Sequence, residues 1–290
     1  MKKGQIIHSV AGTYDIVLED NSVVRCTPRG KLRLNKISPI TGDKVLVLLE
    51  DDYKGSIEEI LPRKNSIVRP AIANIDQMVA VLAPEPEPNY ALFDRILVIG
   101  ESLNLDIVIV LNKADLYPVD KMKEYYSKTP YTIIIMSAMD GLGKNELEEN
   151  LVGKVSVLSG QSGVGKSSII NCIRPEMDIE TQEISKKRGF GRHTTRTVKL
   201  IKLPKGGLIA DTPGFNRLDL DDVESEQLMF YYPEMHEFLD DCKFRNCKHQ
   251  AEPGCAVKEA VEKGQISQGR YRSYLMILEE LTDKEKRIYQ

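Results

Sequence analysis

The nine residues "GQSGVGKSS", positions 160 to 168, carry the most chemistry for their length. Gly160, Gly165, Lys166 and Ser167 satisfy G-x-x-x-x-G-K-[ST], directly after the apolar run "KVSVLS" and directly before "SSIINCI", which can open a helix. A loop in that setting binds phosphate. Its glycines let backbone N–H groups curl around the phosphates while the helix N-terminus adds its dipole. The expected nucleotide-binding set here is Gly160, Gln161, Ser162, Gly163, Val164, Gly165, Lys166, Ser167 and Ser168. Lys166 reaches the β and γ phosphates and assists catalysis, and the Ser167 hydroxyl can ligand Mg²⁺.

A phosphate loop does not choose between ATP and GTP. The stretch "VIVLNKADLY", positions 108 to 117, can make that choice. The Asp115 carboxylate can accept from guanine N1–H and from its exocyclic amine, an edge that adenine lacks. Lys113 lays its aliphatic stem on the base, Asn112 fastens the loop to its neighbours, and Ala114 completes the motif. Asn112 ends one buried strand, "DIVIVL". The next, "YTIIIM", ends in Ser137 and Ala138, whose N–H groups are placed for guanine O6. An ATPase is the minor competitor, and it would not depend on Asp115.

On the γ-phosphate side, "IADTPGF" ends an apolar strand at Asp211, which is expected to hold Mg²⁺ through water, and the Gly214 N–H is expected to contact the γ-phosphate. Between these motifs lies "KKRGFGRHTTRT", residues 186 to 197, where Thr194 or Thr195 could complete the Mg²⁺ shell. Ras-like proteins place a water-orienting Gln after Asp-x-x-Gly, but this chain has Phe215, so intrinsic hydrolysis should be slow. His193 is the catalytic candidate for orienting the water; the competing reading is a polar residue in a basic loop.

Cys242, Cys247, His249 and Cys255 form C-x4-C-x-H-x5-C. Three thiolates and an imidazole suit a closed, structural Zn²⁺ site with no position left for water, against the alternative of free thiols. Cys26 and Cys172 read as buried, and His236 as a helix residue. Lys243, Arg245 and Lys248 interleave the ligands and either meet RNA phosphates or form a solvated face.

These motifs need a scaffold. The 290 residues exceed one domain, and 41% hydrophobic content fills real cores. A net charge of -3 excludes a globally basic nucleic-acid binder, so RNA contact must be local. The start "MKKGQIIHSVAG" does not read as a signal peptide and no run of about 18 apolar residues occurs, so we expect a cytoplasmic protein with no membrane partner. The first 62 or so residues read as five short strands separated by turns, which suggests an OB-like barrel that binds oligonucleotides or serves as a structural appendage. From Asn74 buried runs alternate with helical segments, as in a parallel sheet with crossover helices. One such helix places Leu92, Phe93, Ile96 and Leu103 on its core face, and "APEPEPN" at 83 to 89 is a Pro-rich loop. The tail from Val223 is mostly helical in composition.

The base-reading motif precedes the phosphate loop, the reverse of the usual order. Position in space, not order in the chain, decides function, and domain termini often lie close enough to be joined. The arrangement is a circular permutation in which the segment Asp211 to Asn216 leads straight into the carboxyl-terminal region.

With the motifs "NKAD", "GQSGVGKS", "GRHTT" and "DTPGF", an OB-like barrel before them and a Cys/His cluster after, the chain resembles the circularly permuted ribosome small subunit-dependent GTPase A family over nearly its full length. The resemblance implies a Mg²⁺-dependent GTPase with one structural Zn²⁺. It implies partners in the small ribosomal subunit and its rRNA, action late in subunit maturation, and hydrolysis of GTP to GDP that the subunit stimulates and that drives release. The expected fold class is α/β: a barrel over 1–64, a permuted P-loop GTPase domain over 65–222, and a helical zinc-binding domain over 223–290, in a monomer. The alternative is an RNA-binding scaffold for which GTP is a regulatory ligand.

Overall fold

Alternation of buried and more exposed positions is clearest in the second and third strands of the first sheet. In the computed structural model, β1 (Lys2–Val10), β2 (Thr13–Leu18), β3 (Val23–Pro28), β4 (Lys44–Leu49) and β5 (Lys54–Ile60) follow the five apolar runs of the amino-terminal sequence. The structure describes residues 1–30, 38–68, 70–177, 198–211, 220 and 222–288, without the side chains of Asp211 and Ile288. Antiparallel pairs β1–β2, β2–β3 and β4–β5, a parallel β3–β5 pair and a β1–β4 pair close a five-strand circuit. A register shift between Ile6 and His8 bends β1. Every second residue of β2 points inward, so Tyr14, Ile16 and Leu18 join Ile6, Val24, Cys26, Val45, Val47 and Ile57 in one core. Each such aliphatic side chain contributes roughly 1.5–3 kcal/mol on burial.

The chain forms two compact units. The first comprises Met1–Met78, Asn145–Leu158 and Ile173–Phe215; the second comprises Val79–Lys144, Ser159–Cys172 and Asn216–Gln290. Beside the barrel, the first unit holds a short ribbon, β6 (Ser66–Ile67) with β7 (Ile72–Ala73), which the sequence did not announce. It also holds most of β11 (Val155–Ser159), with β12 (Lys199–Lys202) and β13 (Leu208–Asp211). β11 and β13 are parallel, as expected, whereas β12 is antiparallel to β13. The wholly parallel sheet is therefore corrected at this strand. The five residues 203–207 joining β12 to β13 are long enough for a hairpin and too short for a crossover.

The second unit carries β8 (Gln77–Leu82) from Val79 on, then β9 (Asp106–Leu111) and β10 (Thr132–Ile135), with β9 between the other two and β10 parallel to it. The helices α1 (Tyr90–Ser102) and α2 (Asp120–Tyr126) follow β8 and β9 in the chain, and α3 (Lys144–Leu151) and α4 (Lys166–Ile173) follow β10 and β11. Asn89 caps α1 by accepting from the Leu92 N–H at 3.0 Å.

The core face expected for α1 needs revision. Phe93 and Ile96 are buried, but Leu92 and Leu103 are only half-buried, while Asp94, Leu97, Val98, Ile99 and Gly100 are buried as well. The reason is a second layer. Val98 and Ile99 belong to a core with Leu228, Tyr232, Met235, Val257, Tyr274, Ile277, Leu278 and Leu281 from the carboxyl-terminal segment, so the helix is covered on more than its sheet side. That segment is helical, as expected: α5 (His236–Leu239), α6 (Ala256–Glu262) and the 21-residue α7 (Gln268–Ile288), preceded by short 3₁₀ turns. Arg270, Tyr274, Ile277, Leu278 and Leu281 recur at helical spacing on the buried face of α7. Among the described residues no helix is long and apolar enough to cross a membrane.

Candidate functional site: a nucleotide corner and a Cys3His cluster

The phosphate loop follows β11 and opens α4, the strand-to-helix setting that its motif requires. Two of its glycines are obligatory. Gly160 has φ +145° and a Cβ there would overlap the Val81 carbonyl; Gly165 has φ +98° and a Cβ would overlap the Asn112 amide nitrogen. Lys166 Nζ donates to the carbonyls of Gly160 at 2.7 Å and Gln161 at 2.9 Å. Burial pulls its ammonium down to about 8, because a half-dry cation lacks the hydration of bulk water. The rest of the loop grades from exposed Ser162 and Gly163, through half-buried Gln161, Ser167 and Ser168, to buried Val164.

Asn112 ties this loop to both loops expected to read the base. It is 1% exposed; its Nδ2 donates to the Val164 carbonyl at 2.8 Å, and its Oδ1 accepts from the Ala138 N–H at 3.2 Å. The Ala114 N–H donates to Met136 at 3.1 Å, and the Ser137 N–H to Leu142 at 3.1 Å. Asn112, Ala138 and the phosphate loop thus meet in one place although 52 residues separate Asn112 from Val164. Both N–H groups expected at guanine O6 already have protein partners, and the 3.2 Å bond of Ala138 is the looser contact. Lys113 adopts φ +65°, the left-handed region that non-glycine residues seldom enter, and Nζ donates to the Glu85 carbonyl at 2.8 Å. Asp115 is exposed, free to meet a base edge. Sequence reasoning missed Glu85: a backbone carbonyl leaves no residue-type signal.

Four site expectations, His193, Thr194, Thr195 and Gly214, lie outside the described residues, as do Phe215 and the connection from Asp211 to Asn216 beyond its first residue. Asp211 ends β13, and its side chain is likewise outside the described set.

The four cysteine and histidine candidates do converge. Cys242 Sγ lies 3.5 Å from His249 Nδ1, His249 Nδ1 3.3 Å from Cys255 Sγ, and the two sulfurs 4.0 Å apart. With Cys247 all four ligand atoms lie within 4.8 Å of one another. A tetrahedron with metal–sulfur bonds of ~2.3 Å has edges of roughly 3.8 Å, so the set fits a small divalent cation. The protonation chemistry agrees. Burial pushes the Cys247 thiol up to about 12 and raises Cys255, a cost that a bound cation would reverse, and burial lowers His249 toward the neutral form that binds metals. The cluster is braced from α7: Tyr271 Oη donates to the His249 carbonyl at 2.6 Å and Tyr274 Oη to that of Lys248 at 2.9 Å. Glu252 accepts from the N–H groups of Lys248, Gln250 and Ala251. Lys243 and Arg245 are exposed, Lys248 half-buried, and His236 stands outside the cluster with Nε2 2.9 Å from the Phe230 carbonyl. Cys26 is buried as expected, but Cys172 is only half-buried.

A cluster of buried charges stands apart from both sites. Arg270 is fully buried, with Nη1 2.8 Å from Asp94 Oδ1 and Nε 2.7 Å from Glu234 Oε1, and its guanidinium lies 4.4 Å from the Tyr232 ring centroid. The Asp94 carboxylate also accepts from Tyr125 and Tyr126, each at 3.0 Å. A sequence signal existed: Arg270 stands at helical spacing on the same face of α7 as Tyr274, Ile277, Leu278 and Leu281.

Comparisons with known proteins bear directly on the permuted order. The model of the RsgA GTPase matches residues 60–221, and that of the RsgA N-terminal domain matches residues 3–57. The chain is 44% identical to the small ribosomal subunit biogenesis GTPase RsgA of Geobacillus sp. (strain WCH70), covering 99% of this chain and all of that one. It is 41% identical to the protein of the same name from Alkaliphilus metalliredigens (strain QYMF), with full coverage of both. YjeQ from Thermotoga maritima is 37% identical in sequence and superimposes with a TM-score of 0.84 over 97% of this chain and 98% of its own. YloQ, described as a circularly permuted GTPase, gives 0.84 at 37% identity over 98% of this chain and 96% of its own. The two family models together take in the barrel and the rearranged GTPase domain, the likeness to these relatives runs over nearly the whole length, and the chain belongs to the RsgA GTPase family.

Proposed function

We propose that this chain couples GTP hydrolysis to late maturation of the small ribosomal subunit, binding the subunit and its rRNA while GTP is bound and leaving after hydrolysis to GDP. One observation supports guanine as the base: Asn112 fastens the phosphate loop and the Ser137–Ala138 loop to the turn on which Asp115 stands exposed. In this reading Asp115 accepts from guanine N1–H and the exocyclic amine, Lys113 covers the base, and Ala114, Ser137 and Ala138 frame its O6 side. Gly160, Gln161, Ser162, Gly163, Val164, Gly165 and Ser168 surround the phosphates, Lys166 neutralises charge that grows on them during transfer, and Ser167 is a Mg²⁺ ligand. Mg²⁺ supplies the remaining charge neutralisation. Asp211 through water, Thr194 or Thr195, and Gly214 serve the metal and γ-phosphate, and His193 orients the attacking water.

The Cys3His cluster, in this proposal, holds one Zn²⁺ as a structural metal, since three thiolates and an imidazole leave no open position for chemistry. The barrel (1–64), the permuted GTPase domain (65–222) and the zinc-binding segment (223–290) are its functional divisions, and the protein works as a cytoplasmic monomer. The relatives' shared name supports the subunit as partner. The test is GTP turnover with and without purified small subunits. Slow turnover alone and a rise of tenfold or more with subunits are expected, and equal rates would remove the subunit from the mechanism. In parallel, Asp115→Asn should move preference from GTP toward xanthosine triphosphate, whose O2 matches an amide donor. Unchanged nucleotide preference would favour the ATPase.

A further inference from the structure

The barrel and the strand that ends at Asp211 share one continuous piece of sheet. Residues Lys2 to Gln5 of β1 pair with β4, and past the register shift between Ile6 and His8 the same strand pairs with β12, His8 facing Lys199. On the other side of β12, Lys199 faces Asp211. Among the described residues β11 pairs with β13 from Leu208 to Ala210, so the backbone of Asp211 is held from the β12 side. One buried side chain fastens this row to the barrel: Thr41 is 3% exposed, and its hydroxyl donates to the carbonyl of Val198, the residue before β12, at 3.1 Å. Thr41 is itself fixed. Its carbonyl accepts from the Ala73 N–H at 2.9 Å, and the neighbouring Gly42 N–H donates to the Ile6 carbonyl of β1 at 2.7 Å. Gly42 has φ +90°, and a Cβ there would overlap the Ala73 carbonyl. Next in the chain, the buried Asp43 carboxylate accepts from Arg63 Nε at 2.7 Å and Nη2 at 2.9 Å.

We propose that Thr41 is a positioning residue for subunit-stimulated GTP hydrolysis, tying the place of the barrel to the start of β12 and, through the Lys199 pair, to the end of β13. Coupling between two sites is carried by contiguous packed and hydrogen-bonded groups, and the contacts Thr41 to Val198 and His8 to Lys199 to Asp211 form such a series. When the subunit engages the barrel, the Thr41 hydroxyl carries any shift into β12. The residue at the end of that row is the one proposed to hold Mg²⁺ through water, where a displacement of about 1 Å changes rate by up to ~100-fold. Without a load on the barrel, the pairing of β12 with β13 keeps Asp211 in place by itself. The inference rests on the proposed stimulation by the subunit and on that role of Asp211, and adds a residue remote from the chemistry.

The test follows GTP turnover by the full chain at increasing concentrations of purified small subunits, which separates the maximal stimulated rate from the half-saturating subunit concentration. Thr41→Val keeps the shape and removes the hydroxyl, Thr41→Ala removes it with less bulk, and Thr41→Ser keeps it. The valine and alanine variants are each expected to lower the maximal stimulated rate roughly five- to twentyfold. Their half-saturating concentration, unstimulated turnover and GDP affinity should stay within twofold of the parent. Thr41→Ser should match the parent in all of these. A defect confined to subunit binding would instead raise the half-saturating concentration and leave the maximal rate alone, which overturns the proposal. A general loss of structure would lower GDP affinity and unstimulated turnover along with the stimulated rate, and that overturns it too. So do maximal rates within twofold of the parent in both hydroxyl-free variants, or a serine variant as slow as the valine one. The underlying reading fails separately: a parent chain whose turnover the subunits do not raise would remove stimulation itself, and Thr41's role with it.

Discussion

Asn112 Nδ2 donates to the Val164 carbonyl at 2.8 Å, joining the turn proposed to read guanine to a phosphate loop that lies 52 residues later in the chain. Hydrogen bonds are indifferent to chain order. Cutting and rejoining a domain is harmless if such bonds survive, and this one does. Asn112→Ala leaves the buried Val164 carbonyl and the Ala138 N–H without their partner, at about 1–3 kcal/mol per unpaired buried group. Nucleotide affinity should fall at least tenfold, with a lowered melting temperature. Gly165→Ala attacks the same contact from the other side, since its Cβ would overlap the Asn112 amide. The two losses in nucleotide affinity, read by titration, should therefore be less than additive.

The pH dependence of binding should report Lys166. Burial holds its ammonium near 8 against an ordinary value of 10.5, so the free protein loses this charge as pH rises through 8. Phosphates stabilise the charged form, hence binding restores the proton. Affinity should be flat below pH 8 and fall above it, by up to tenfold per pH unit, with nearly one proton taken up at pH 9. Calorimetry in buffers of different ionisation heat measures that uptake. The same shift makes the charged lysine a burden on the folded state below pH 8, relieved as pH climbs toward 10.5.

Much of this corner was legible because its motifs name both residue types and strand settings. "NKAD" and "GQSGVGKS" each sit where a buried strand ends, and β9 and β11 end there. Contacts made by backbone atoms were not legible: the Glu85 carbonyl that holds Lys113 could belong to any residue. Charge misled in another way. Asp94 lies off the face expected from Leu92, Phe93, Ile96 and Leu103, yet it is buried, because a second layer covers α1 and only tertiary structure supplies that layer. The antiparallel β12 was in principle readable, since five residues cannot make a crossover.

Removing the metal should unfold the carboxyl-terminal segment selectively. Purified protein is expected to carry one Zn²⁺ per chain by elemental analysis. Cys255→Ser, at a buried ligand that also leads into α6, should lose that metal and lower the melting temperature. Cobalt substitution of the parent should give the charge-transfer bands of a thiolate-rich tetrahedral site. Absence of bound metal from protein prepared without chelator would leave the cluster as four packed thiol and imidazole groups.

Arg270 is a fully buried cation between two buried carboxylates, and its removal should show what that arrangement costs. Burial pushes the Asp94 carboxyl above its ordinary range, and the Arg270 charge pulls it back. Arg270→Met fills a similar volume but leaves Asp94 and Glu234 facing each other's charge without a cation, at a cost of about 3–5 kcal/mol. That cost must depend on pH. Without Arg270 the buried Asp94 carboxyl loses the charge that pulls it down and holds its proton more tightly, so the variant keeps most of its stability where the unfolded chain is also protonated, near pH 4. It loses stability as pH rises toward neutrality, until the folded Asp94 too has ionised. The difference in denaturation midpoint between parent and Arg270→Met should therefore widen from pH 4.5 to pH 7.5. Pairing the variant with Asp94→Asn and Glu234→Gln should recover much of the loss, because replacing every charge removes the uncompensated ones that one substitution leaves behind.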